Sequence, residues 1–132
     1  MARKTVFISF DYDNDRHYKN LLLAWDKNDE FDFRLYDGSL KEAIDSNNAA
    51  YIKSLIRPKI AAATHFLCII GKESSQSEWI EWEIDRAILD KKKLIAVKIE
   101  KDFDTPPALY NQGATWALSF NFDAIKRALE SA

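Results

Sequence analysis

"THFLCIIGKESSQSEWIEWEIDRAI", residues 64–88, is the stretch that decides the fold. Its first part, Thr64–Gly71, is an unbroken apolar run closed by glycine, the pattern of a strand buried on both faces. Its second part changes period. Ile80, Ile84, Ala87 and Ile88 recur at helical spacing, which predicts a helix over residues 76–91 with one apolar face. Ser75 and Glu78 have the separation of a capping box, which places the helix start near Ser75. A buried strand followed at once by an amphipathic helix is the unit from which parallel α/β sheets are built.

The same alternation runs through the rest of the chain. "TVFISF", Thr5–Phe10, reads as a first strand. Tyr18, Leu21, Leu22 and Trp25 mark an amphipathic helix, with Asp13 or Asn14 as its N-cap. Phe31–Tyr36 alternates as a second strand, and Asp37-Gly38-Ser39 is a turn. Residues 49–63 carry Tyr51, Ile52, Leu55, Ile56 and Ile60 on one side of a helix, which Pro58 should kink or restart. Leu94–Ile99, Thr115–Leu118 and Phe122–Ser131 supply two more strands and a last helix. The expectation is one domain over residues 1–132. Its fold is an α/β, flavodoxin-like three-layer arrangement around a central five-stranded parallel sheet of order 2-1-3-4-5. Ligands of such sheets bind beyond the carboxyl ends of the strands, near the switch between the first and third. Those ends carry Ser9, Phe10, Asp11, Gly71 and Lys72, with Asp37 from the second strand.

Composition narrows the function. A formal net charge of −2 argues against a nucleic-acid partner, which calls for a basic face. The longest basic run, Lys91–Lys93, suits a helix end, where cations meet the negative pole of the macrodipole. Cys68 is the one cysteine, so no intrachain disulfide can form, and its apolar setting reads as core. Two histidines and one cysteine make no convincing zinc set, and no metal is expected. His17 and His65 read as structural or surface residues. No signal peptide or membrane-length apolar run is evident, which leads to the expectation of a soluble, cytoplasmic protein without a membrane partner. With three glycines and no G-x-G-x-x-G or P-loop, a Rossmann-type cofactor site is not expected.

On the helical wheel of residues 76–91, Glu78, Glu81 and Asp85 project into water. Trp82 falls nearly opposite the core face. Glu83 does not follow its neighbours: it lies about 40° from both Ala87 and Trp79, at the margin of the buried face. Partial burial raises a carboxylate's pKa unless hydrogen bonds compensate. Two readings follow: an ion pair with an Arg or Lys of a neighbouring loop, or a functional carboxylate. Trp79 likewise reads either as core edge or as part of a site.

The succession "VFISFDYDND", "DGS", "FLCIIG" and "SSQSEWIEWEI" resembles a TIR domain, and in particular the small stand-alone prokaryotic TIR-like proteins of the Thoeris anti-phage type. The match covers nearly the whole chain and is strongest over Phe66–Ile84, with Trp79-x-x-x-Glu83-Ile84 at its centre. The resemblance implies an NAD-cleaving enzyme with Glu83 as the catalytic carboxylate and Trp79 one turn before it. It also implies Ser9 and Phe10 beside the nucleotide, and Asp37 and Ser39 on a loop over the site. NAD is then a substrate, and no cofactor is required. The product would be ADP-ribose or a cyclic isomer serving as a signalling nucleotide for a downstream effector protein. TIR relatives also assemble, so a homo-oligomer or filament is among the expected partners.

The chemistry suits a single carboxylate. The nicotinamide–ribose bond breaks to release a neutral base, because the ring already carries the positive charge. No general acid is needed, unlike ordinary glycoside cleavage with its two carboxyl groups. An oxocarbenium-like sugar remains, and a pre-placed carboxylate supports it. Two rivals come from other classes. Asp11, Asp13 and Asp15 alternate after a strand, but a calcium loop fails with Arg16 at position six and Leu22 at position twelve. A phosphoreceiver lacks an acceptor Asp at the end of the Thr64–Gly71 strand. The main alternative is a non-catalytic TIR-like interaction module, with Trp25, Trp82 and Tyr12 as exposed anchors.

Overall fold

The computed structural model describes residues 4–27, 33–36 and 49–132. The elements run β1 (Lys4–Ser9), α1 (Tyr12–Lys27), β2 (Phe33–Tyr36), α2 (Ala49–Ala62), β3 (His65–Ile70), α3 (Glu78–Leu89), β4 (Lys93–Lys98), β5 (Thr115–Ala117) and α4 (Phe122–Ser131). The strands form one sheet in the order β2-β1-β3-β4-β5, with every pair parallel. β3 is buried at each position, as its apolar run predicts.

Alternation along the strands divides the core in two. Val6, Ile8, Leu67, Ile69, Ile95 and Val97 face one side, where Leu22 of α1 and Ile125 and Leu129 of α4 cover them. Phe7, Phe66, Cys68, Ile70 and Ala96 face the other, under Ile52, Ile56 and Ile60 of α2 and Ile80, Ile84 and Ala87 of α3. Phe7 and Phe66 stack with ring centroids 5.6 Å apart. A side chain such as Ile84, fully removed from water, contributes roughly 1.5–3 kcal/mol.

Local details depart from the sequence reading in four places. α3 begins two residues later than Ser75 suggests, with Ser77 as its N-cap: the Ser77 hydroxyl accepts from the Ile80 N–H at 3.2 Å. Residues Ser74–Gln76 form a separate 3-10 turn. The buried Ser74 hydroxyl ties it down, accepting from the Gly71 N–H at 2.8 Å and donating to the Ile69 carbonyl at 3.3 Å. α1 begins at Tyr12, ahead of both proposed caps, so Asp11 precedes the helix and its carbonyl accepts from the Asp15 N–H at 2.7 Å. α2 is continuous through Pro58 as far as Ala62, so the proline does not restart the helix. Trp25 is not an exposed anchor: it stacks on Phe120 and meets Phe122 edge-on, against the first core cluster.

α3 ends in a Schellman motif. The Lys92 N–H reaches the Ala87 carbonyl and the Lys91 N–H reaches that of Ile88, each at 3.0 Å. Lys91 takes the left-handed position, with φ of 58°. The basic run does end a helix as expected, but Lys91 stands where glycine is favoured.

Parallel neighbours need a return crossover, so each connecting helix begins at the carboxyl edge of the sheet. The first turns of α1, α2 and α3 therefore gather where β1 and β3 end.

Candidate active site

β1 ends at Ser9, whose Cα is the register partner of Cys68 on β3. Both side chains are small and lie on the face of the sheet that α3 covers, from which Glu83 approaches. Its helix presents Ile80, Ile84 and Ala87 to the sheet, and Glu83 sits at the margin of this stripe, partly buried. The Ser9 hydroxyl, itself 1% exposed, donates to Glu83 Oε1 at 2.7 Å. Among the described residues the carboxylate's hydrogen-bond partner is a hydroxyl, and no ion pair to it forms.

Burial pushes the Glu83 pKa from the ordinary 4.5 up to about 7, with the Ser9 hydrogen bond acting in the opposite direction. Burial, followed by the nearby Glu83, Asp15 and Glu81 carboxylates, also drives the Cys68 thiol upward, so it stays protonated and is no nucleophile.

Trp79, one turn before Glu83, is 39% exposed and meets Trp82 edge-to-face with centroids 6.2 Å apart. Trp82 is half-buried against the second core cluster, contrary to its place on the ideal wheel. The reason is α2, which packs beside α3 and makes that flank of the helix an interior one. Lys53 of α2 carries its ammonium over both indoles, 5.8 Å from the Trp79 centroid and 5.3 Å from that of Trp82.

Phe10 lies elsewhere. Its ring belongs to the first core cluster, with Val6 and Ile8, and the Lys19 ammonium stands 5.6 Å from its centroid. The structure thus joins Ser9 to Glu83, sets Trp79 beside them on α3, and turns Phe10 toward the opposite layer. Asp37 and Ser39 lie outside the described residues.

One feature of this edge escaped the sequence reading. Asp15 is only 5% exposed, and its Oδ2 has no hydrogen-bond partner. Burial raises its pKa from 3.8 to about 6, with Asp11 and Glu73 adding to the rise and Ser74 opposing it. Gly71 makes the space: a Cβ there would overlap the Asp15 carboxylate. The signal was present, since Asp15, Lys19 and the core residue Leu22 share a helical face and all three are buried. Asn14 ties the start of α1 to the loop after β3, donating to Asp11 Oδ2 at 2.8 Å and to Glu73 Oε2 at 2.7 Å. His65 is buried, with Nδ1 in a 2.8 Å hydrogen bond to the Thr64 hydroxyl, a structural role.

Two solved structures share the parallel α/β fold of this chain. A Clostridium botulinum CMP N-glycosidase superposes with a TM-score of 0.63 at 13% identity, covering 97% of each chain. A 2-desoxiribosyltransferase from Leishmania mexicana gives 0.56 at 18% identity, over 74% of this chain and 66% of that one. At those identities the likeness is one of fold. A search of curated protein sequences gives no significant match. The family profile of the Thoeris protein ThsB TIR-like domain matches residues 7–104, and the chain belongs to that family.

Proposed function

We propose that this chain is a TIR-type enzyme that cleaves the nicotinamide–ribose bond of NAD. Its product is an ADP-ribose-derived nucleotide, linear or cyclic, that signals to a nucleotide-sensing effector in anti-phage defence. The observation that carries the reading is the Glu83 carboxylate, held by Ser9 beside Trp79 where the sheet's strands end. Family membership and the sheet order, which is that of a flavodoxin-like TIR-type fold, support it.

In this reading Ser9 fixes Oε1 and leaves Oε2 to face the ribose. As the bond to nicotinamide lengthens, positive charge builds on the sugar, and the carboxylate stabilises it in a water-poor setting. The raised pKa suits this task. A desolvated carboxylate gains more from an arriving cation than a solvated one, and the cationic substrate draws it back to the ionised form. Water attacking the sugar gives ADP-ribose, whereas a nucleophile of the ADP portion gives a cyclic isomer.

The test is nicotinamide release from NAD by the wild-type protein and by Glu83→Gln. Release that disappears in the folded variant supports the reading, and equal release from both removes Glu83 from its role.

The non-catalytic alternative has one observation in its favour. Trp116 within the edge strand β5 and Leu118 just after it are 37% and 64% exposed. Self-association through that edge gives a homo-oligomer or filament, which light scattering against concentration detects.

A further inference from the structure

We infer that Lys53, clamped over Trp79 and Trp82, is the phosphate-recognition residue of the Glu83 site and makes the protein select nucleotides over nucleosides. The inference rests on the NAD-cleavage reading and assigns a residue of α2 to it.

Three observations converge. First, α2 and α3 lie side by side on the same face of the sheet, so the first half of α2 and the first turn of α3 stand together at the carboxyl edge. Lys53 and Trp79 occupy those positions. Second, the Lys53 ammonium is localised: it sits within 6 Å of two ring centroids, and those rings are themselves in edge-to-face contact. A lysine stem is ordinarily free to sweep, and two indole faces confine it. Third, no described carboxylate pairs with its charge. Contacts to π-faces leave ammonium N–H donors available, and Lys53 forms no ion pair among the described residues.

The surroundings make a cation there consequential. Glu83 follows Trp82 in the chain and faces Ser9, while Glu78 and Glu81 flank Trp79 and Trp82 on the same helix. A substrate bearing a diphosphate would be repelled by these carboxylates. Lys53 supplies an attractive point charge on the α2 side, apart from the carboxylate that must meet the sugar. A dinucleotide can then place its positive ring and ribose toward Glu83 and its phosphates toward Lys53. A nucleoside gains only the first contact.

The experiment compares wild type, Lys53→Met and Lys53→Arg. Nicotinamide release is measured from NAD and from nicotinamide riboside, which has the same bond and no phosphate. In parallel, indole fluorescence is titrated with ADP-ribose, since Trp79 and Trp82 adjoin the ammonium. The expected result is a wild-type preference for NAD that falls tenfold or more in Lys53→Met, through KM rather than kcat, and is largely kept in Lys53→Arg. ADP-ribose affinity should fall in step, and its salt dependence should weaken. An unchanged preference in a folded Lys53→Met protein overturns the proposal, as does an equal loss on both substrates. If no form releases nicotinamide from either compound, the NAD reading fails separately, and the titration decides. A saturable wild-type response lost in Lys53→Met then upholds Lys53 as the phosphate residue. No response, or the same response in both, overturns it.

Discussion

The Ser9 hydroxyl reaches Glu83 Oε1 across 2.7 Å, joining the last residue of β1 to the middle of α3. A hydrogen bond donated to a carboxylate favours its ionised form, so Ser9 holds the Glu83 pKa below where burial alone would set it. In Ser9→Ala the pKa should rise further. If Glu83 acts as an anion, the rate of nicotinamide release increases with pH through about 7 in the wild type. The same limb should lie at higher pH in Ser9→Ala. A pH–rate profile of both proteins checks this, and coincident limbs contradict it.

Glu83 and Asp15 also make stability depend on pH. Each is an acid whose folded pKa lies above its unfolded value, so the folded state binds more protons between the two. Stability from these groups is therefore greatest at low pH and falls as pH rises, over about 4.5 to 7 for Glu83 and 3.8 to 6 for Asp15. The gain in denaturant midpoint of Glu83→Gln over wild type should be near zero at pH 4, grow across that window and level off above 7. Asp15→Asn should show the same course displaced to lower pH. A gain independent of pH would contradict the linkage.

Gly71 and Asp15 are coupled through space. A methyl at position 71 overlaps the Asp15 carboxylate, and the crowding in Gly71→Ala should destabilise by about 1–3 kcal/mol. Removing the carboxylate as well, in Gly71→Ala/Asp15→Ala, should recover most of that loss. A double-mutant cycle from urea melts measures the coupling, and additive effects would show that the two positions do not meet.

Lys91 is the one described non-glycine residue besides Asn111 with positive φ, and it closes α3. Lys91→Gly relieves the left-handed strain and keeps both carbonyl caps, since these use backbone N–H groups. It should stabilise by about 0.5–1 kcal/mol, read as a higher melting temperature.

Much of the fold was legible because the signals were redundant. The buried run at 65–70, the helical stripe Ile80-Ile84-Ala87 and the β-rich opening each indicate a parallel α/β sheet independently. Glu83 was legible by its angle on the wheel. What the wheel could not contain was a second helix. Trp82 looked solvent-facing on an isolated α3 and became half-buried once α2 lay beside it. Lys53 was invisible for the same reason, since its partners are distant in sequence. The start of α3 was misplaced because a serine two residues before the true cap satisfied the spacing rule, while Ser74 diverted the chain into its own turn. Phe10 and Ser9 are adjacent in sequence but point into opposite layers, as the pleat requires, a difference that the resemblance alone did not contain.

The pairing of Ser9 with Cys68 has a spectroscopic consequence. The protein carries one thiol, sealed from water on the strand beside the hydroxyl that holds Glu83. An S–H stretch absorbs in an infrared window that protein and water leave almost clear, and its frequency follows the local electric field. The native chain thus contains an unlabelled vibrational gauge: loss of the Glu83 proton, or arrival of a cation beside it, should move that single band.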